Sequence, residues 1–108
     1  MGAKEVEKSL EFLGLSEKES AIYLFVCTHP GTTGGRIIKV LKIARSKTYD
    51  ALEKLVSMGL LEKDESGVAK YTSAGRESLE SIYRSKVEEV GKAIQYIIRK
   101  GTGGVSVN

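Results

Sequence analysis

The 108 residues include one cysteine, one histidine and one proline. A lone cysteine, Cys27, excludes an intrachain disulfide. With His29 as the sole histidine, too few nitrogen and sulfur ligands remain for a structural zinc site. The same scarcity bears on catalysis. A Ser–His–Asp arrangement would have to use His29, which sits in the apparent turn His29-Pro30-Gly31. A Cys–His pair would need Cys27 and His29, two positions apart at a helix end and poorly placed to face each other. No glycine-rich phosphate loop follows a predicted strand, so no enzyme, cofactor or metal is expected. The longest apolar run, Ala21 to Cys27, is seven residues. A membrane-spanning helix needs about 20. The first residues, MGAKEVEKSLEF, are charged and lack a signal peptide's apolar stretch. Asparagine and glutamine occur once each, as Asn108 and Gln95, while lysine and glutamate abound, a composition that leans toward thermophiles.

What is present has the balance of an ordinary globular chain, 41% apolar and 29% charged, at the length of one domain. The net charge of +3 is unevenly spread. Residues 1–28 set Lys4, Lys8 and Lys18 against Glu5, Glu7, Glu11, Glu17 and Glu19, net −2. Residues 34–58 set Arg36, Lys39, Lys42, Arg45, Lys47 and Lys54 against Asp50 and Glu53, net +4. The remainder carries +1. A basic middle segment with neutral to acidic flanks fits a nucleic-acid face; the alternative is a solvated helix surface.

The periodicity predicts a helix over residues 3–13, on Val6, Leu10 and Leu13. Gly14 then stops it. Ser16-Glu17-Lys18-Glu19 has the form of a capping box, with Leu15 as the hydrophobic staple, opening a second helix over residues 17–28. Ala21, Ile22, Leu24, Phe25 and Cys27 are its expected buried side; Cys27 reads as a small core residue or as a redox site. After the turn, Thr32 or Thr33 is placed to cap a short helix from Gly34 to Leu41. Gly34 and Gly35 weaken its first turn by roughly 1 kcal/mol each, and also let the backbone approach something closely. Lys42-Ile43-Ala44 forms a tight turn. A fourth helix runs over residues 45–58, with Thr48, Leu52, Leu55 and Val56 on one face and Ser46, Lys47, Asp50, Lys54 and Ser57 opposite. The period then shifts toward two. Residues 60–64 and 68–72 read as the strands of a hairpin turning at Glu65-Ser66-Gly67. Ser73 is placed to cap a last helix over residues 74–100, with residues 101–108 as a frayed tail.

Two short helices around a tight turn, the second basic and outward-facing, followed by a hairpin, is the layout of a winged helix-turn-helix. The expected fold is mainly α with a small β component (α+β): a short two-stranded wing and a long C-terminal dimerisation helix. Residues 1–73 would form the DNA-binding unit and residues 74–100 the dimerisation helix. Leu13-Gly-Leu-Ser-Glu-Lys-Glu-Ser-Ala-Ile-Tyr-Leu24, Arg45-Ser-Lys-Thr-Tyr-Asp-Ala-Leu-Glu-Lys-Leu55 and Met58-Gly-Leu-Leu-Glu62 resemble the N-terminal DNA-binding domain of the TrmB-type archaeal regulators. The resemblance spans residues 10–72. Three positions depart from that pattern: Lys42 stands where the turn usually has glycine, Ala44 where the helix start often has serine or proline, and Thr48 where a buried aliphatic is usual. The resemblance implies double-stranded DNA as partner. It does not extend to an effector domain, so sugar sensing is not expected.

Arg45, Ser46, Lys47 and Tyr49 match the family's recognition-helix start. Arg45 or Lys47 would contact either a guanine edge, worth about 1–3 kcal/mol of discrimination, or phosphate. Tyr49 would bond a phosphate or simply pack. Asp50 is expected to pair with Lys54 four residues on. Thr33, with the amides at its helix start, would cap or hold a phosphate. Arg36, Lys39, Lys42 and Lys54 are further candidate contacts, and Lys63 and Lys70 flank the wing. The acidity of Glu62, Asp64 and Glu65 argues against deep minor-groove insertion. In the last helix, Tyr83, Val87, Val90, Ile94 and Ile97 follow a 4-3-4-3 spacing, a heptad seam expected to be a homodimer interface. A two-fold dimer would read a roughly palindromic operator in the cytoplasm, at the nucleoid. The competing readings are a winged-helix protein-interaction module and a nucleoid-type binder of low specificity.

Overall fold

Ser16 starts the longest buried helix as its sequence dictates. Its hydroxyl accepts the Glu19 amide (3.1 Å) and its own amide donates to the Glu19 carboxylate (2.8 Å). In this computed structural model, which describes residues 1–102, that helix is α2 (Glu17–Thr28). It follows α1 (Ala3–Leu10) and a tighter turn, Glu11–Leu13, that ends on Gly14 at φ 94°. The expected single helix over residues 3–13 thus breaks after Leu10. The tighter turn buries Leu13 and leaves Phe12 exposed.

After Gly31 come β1 (Thr32–Thr33), α3 (Gly34–Leu41), α4 (Arg45–Ser57), β2 (Leu61–Asp64), β3 (Lys70–Ser73) and α5 (Arg76–Ile97). A wider helical turn, Ile98–Thr102, continues α5. The expected two-stranded wing is part of a three-stranded antiparallel sheet in the order β1-β3-β2. The third strand, β1, is two residues long, too short for a periodicity signal. The register sets Thr33 opposite Lys70, and Lys70 opposite Asp64. Gly31, at φ 80°, anchors β1 by donating its amide to the Tyr71 carbonyl at 2.9 Å.

One core joins these elements. Ile22, Tyr23, Phe25 and Val26 of α2 meet Ile37 of α3, Ala51, Leu52 and Leu55 of α4, and Leu60, Leu61 and Tyr71 of the sheet. Ala21, Leu24 and Cys27, expected among the most buried, are half-buried, because the inward face of α2 is centred on Ile22 and Val26. His29 has a structural place. Its ring stacks on Phe25 with centroids 4.0 Å apart, and its Nδ1 lies 2.9 Å from the Phe25 carbonyl oxygen.

The last helix starts two residues later than its pattern suggested. Ser73 does not cap it; the Ser73 hydroxyl instead accepts the Gly75 amide (3.2 Å), and Gly75 at φ 109° turns the chain into α5. The first turns of α5 pack on the core through Leu79 and Ile82, while residues 87–100 are exposed. Of the anticipated tail, residues 103–108 lie outside the described residues.

Candidate nucleic-acid interface

The turn between α3 and α4 keeps its geometry without glycine. Lys42 itself takes the left-handed conformation (φ 57°, ψ 40°), and its amide donates to the Ile38 carbonyl at 2.9 Å. A side chain pays about 1–2 kcal/mol for that conformation. Ala44 provides no side-chain cap for α4. Thr48, fully buried, satisfies its hydroxyl by donating to the Ala44 carbonyl at 3.0 Å, so the unusual threonine is compatible with a core position. The amides at the start of α4 thus have no capping side chain, and Arg45, Ser46 and Lys47 are exposed there.

Tyr49 ties this end to its neighbours. A Cβ added to Gly34 would lie 2.5 Å from the Tyr49 ring and hydroxyl, so the tyrosine occupies the space that the missing side chain leaves. Arg45, one turn back, holds its guanidinium 5.2 Å from the same ring's centroid, a cation–π contact. Thr33 caps α3 by accepting the Arg36 amide at 3.2 Å. Because Gly34 follows Thr33, and Thr33 is paired with Lys70, four candidate groups converge: Thr33, Arg45, Tyr49 and Lys70. Arg36, Lys39 and Lys42 are exposed on α3 and the turn.

Lys63 and Lys54 are engaged elsewhere. Lys63 pairs with Glu65 at 3.3 Å, and that partner first, with Tyr71 and Glu53, holds its ammonium above the usual lysine range. Asp64 accepts the Ser66 amide at 2.9 Å, which holds its carboxyl below the usual range and folds the wing's turn. Much of the wing's acidity therefore builds the hairpin. Lys54 does not make the expected pair with Asp50. Its ammonium reaches across to the Glu19 carboxylate (2.9 Å) and the Gly14 carbonyl (3.4 Å). Sequence spacing cannot show such a contact, 35 residues apart.

Burial pushes the Glu19 carboxyl up, but the Ser16 amide, Lys54 and the Ser16 hydroxyl outweigh it and hold the group below its ordinary value. The stabilisation is therefore present above the unfolded carboxyl's pKa and is lost as pH falls through the lower folded value. Glu19→Gln is expected to cost about 0.5 kcal/mol at pH 7, with the difference from wild type vanishing in acid. Urea unfolding at several pH values checks this; a constant difference would remove the ionic explanation.

Two helices across a tight turn, the second seated on the core with a projecting cationic N-terminus, and a hairpin beyond it define a winged helix-turn-helix protein. Residues 10–77, well over half of the chain, match the family "Sugar-specific transcriptional regulator TrmB". The chain belongs to this TrmB family of transcriptional regulators.

Solved structures share the fold. TrmBL2, an archaeal chromatin protein described as showing a novel mode of DNA binding, aligns over 99% of this chain and 45% of its own, with a TM-score of 0.67 and 18% identity. The chain thus spans less than half the length of that protein. The multiple antibiotic-resistance repressor MarR of Listeria monocytogenes aligns over 90% of this chain and 66% of its own (TM-score 0.55, 21% identity). The transcriptional regulator SlyA aligns over 92% and 71% (TM-score 0.58, 17% identity). No curated protein matches the sequence. Among the described residues no helix is long and apolar enough to cross a membrane, and no cluster of three or more metal-ligating side chains occurs.

Proposed function

We propose that this chain is a sequence-specific, double-stranded-DNA-binding transcriptional regulator that acts as a homodimer. The observation that carries the reading is the convergence of an uncapped, cationic helix start at Arg45–Lys47 with Thr33 and Lys70 around the Tyr49 ring. A helix N-terminus presents amides and positive potential to phosphate, and a helix entering a major groove about 12 Å wide reads base edges with its N-terminal residues. Arg45, Ser46, Lys47 and Tyr49 are the proposed reading group. Thr33, Arg36, Lys39 and Lys42 would hold the backbone of the duplex, and Lys63 and Lys70 the adjacent phosphates. Lys54 acts as a positioning residue: it fastens α4 to the start of α2.

The dimer is proposed to form along Tyr83, Val87, Val90, Ile94 and Ile97, giving residues 1–73 as reading head and residues 74–100 as the coupling helix. Such a dimer would cover two half-sites of a palindromic operator about 34–36 Å apart, or a multiple of that. The site of action is the nucleoid, in the cytoplasm. No reaction, cofactor or metal belongs to this mechanism.

A fluorescence-anisotropy titration across salt is the test. With about six phosphate contacts, affinity should fall roughly a thousandfold between 50 and 200 mM salt. Absence of binding to any duplex at 50 mM would leave a protein-interaction module. Equal affinity for every duplex would leave a chromatin-type binder, which the modest net charge of +3 disfavours. Lys54→Met should leave the salt slope unchanged.

A further inference from the structure

The long helix leaves the body of the molecule. The protein extends 59 × 27 × 25 Å, and α5, at 22 residues, is about 33 Å long. Along it Tyr83, Val87, Val90, Ile94, Ile97 and Ile98 are 45–55% exposed. The eight residues of α1 span about 12 Å and cannot cover that stripe. Beside the first turns of α5 lies an apolar groove of about 540 Å³, lined by Val6, Leu10, Phe12, Leu79 and Tyr83, with Glu80 as its charged member. Phe12 stands in it 55% exposed, its ring centroid 6.2 Å from that of Tyr83.

We propose that the occupant of this groove is the distal end of α5 from a second copy of the chain, the two helices running antiparallel. The inference rests on the homodimer reading above. Two features choose the direction. Centring the two-fold axis between Val87 and Val90 sets Tyr83 opposite Ile94 of the partner subunit. The same register brings Ile97 and Ile98 of the partner subunit to the level of Leu79 and Glu80, where the groove lies. The stripe is then covered along its length and both grooves are filled. A parallel pair leaves the grooves without the distal isoleucines.

Charge points the same way. Residues 90–100 carry Lys92, Arg99 and Lys100 and no acidic residue, whereas residues 1–28 have a net charge of −2. Parallel helices bring two such tips, each +3, together. Antiparallel helices lay each tip near the acidic N-terminal segment of the other copy.

Disulfide trapping tests the direction in a Cys27→Ala background, with Tyr83→Cys and Ile94→Cys chains oxidised separately and mixed, and mass followed by light scattering. Covalent dimers that form on mixing, with little from either chain alone, are expected. Efficient coupling of Ile94→Cys with itself would overturn the antiparallel seat while leaving a dimer. A dimeric mass without coupling in the mixture would overturn the seam, and a monomeric mass would overturn both seam and dimer. Phe12→Lys changes an exposed side chain and should leave folding intact while weakening dimerisation about tenfold or more; an unchanged dimer constant would empty the groove of its role. DNA binding is read separately: coupled dimers that bind no duplex would refute the regulator and leave this interface standing.

Discussion

Replacing Gly34 by alanine is expected to destabilise the fold by about 1–3 kcal/mol, the range for overpacking a well-filled site. It should also cost DNA affinity. The neighbouring Gly35→Ala should be neutral or stabilising by up to about 1 kcal/mol, because alanine is the better helix former. The two glycines open the same helix, yet a Cβ on Gly35 meets nothing within 4 Å, while one on Gly34 would sit 2.5 Å from the Tyr49 ring. That ring is packed against the core on one side and carries Arg45 on the other. If it swings outward, Arg45 loses its support. If it stays, α3 and α4 must separate. Either way the start of α4 moves, and one base-edge contact is worth about 1–3 kcal/mol. Urea midpoints at constant slope measure the stability change. A double-mutant cycle with Tyr49→Ala should show strong coupling, since removing the ring removes the clash. Equal behaviour of Gly34→Ala and Gly35→Ala would refute the contact.

Local chemistry made much of this legible in advance. The Ser16–Glu19 capping box, the placement of α2, α3 and α4, and the hairpin all depend on residues close in sequence, and each formed near its expected position. The Gly34-Gly35 pair announced a close approach, but the approaching group, Tyr49, lies on another helix and could not be named. The same limit explains Lys54. The i, i+4 rule nominated Asp50 as partner, and tertiary packing delivered Glu19 instead. The two residues of β1 are recruited by β3 from 37 residues away, so their strand character belongs to the sheet. Lys42 shows the converse: glycine is the usual signal for a left-handed turn, and the helix–helix packing imposes that conformation on a lysine. Thr48, an apparent flaw in the apolar stripe, is reconciled by a hydrogen bond to its own helix.

Arg45→Glu with Lys47→Glu is expected to lower DNA affinity at least a hundredfold, about 2.7 kcal/mol, through lost base and phosphate contacts and new repulsion. The logarithmic salt slope should fall by about 2, one unit for each phosphate contact removed. Stability should move the other way. Cations at a helix N-terminus oppose its dipole, whereas acidic residues there favour it by about 0.3–1 kcal/mol each. Both side chains are exposed, so no packing is lost. A variant that binds far less tightly while unfolding at equal or higher urea distinguishes an interface from a structural element. The present residues run against the helix's own preference, and α4 has no capping side chain either. An approaching phosphate satisfies both deficits at once, the unbonded amides and the unbalanced positive end. Unchanged affinity in the doubly reversed chain would mean that this end of α4 does not face DNA, and the proposed regulator would have to bind through another surface or not at all.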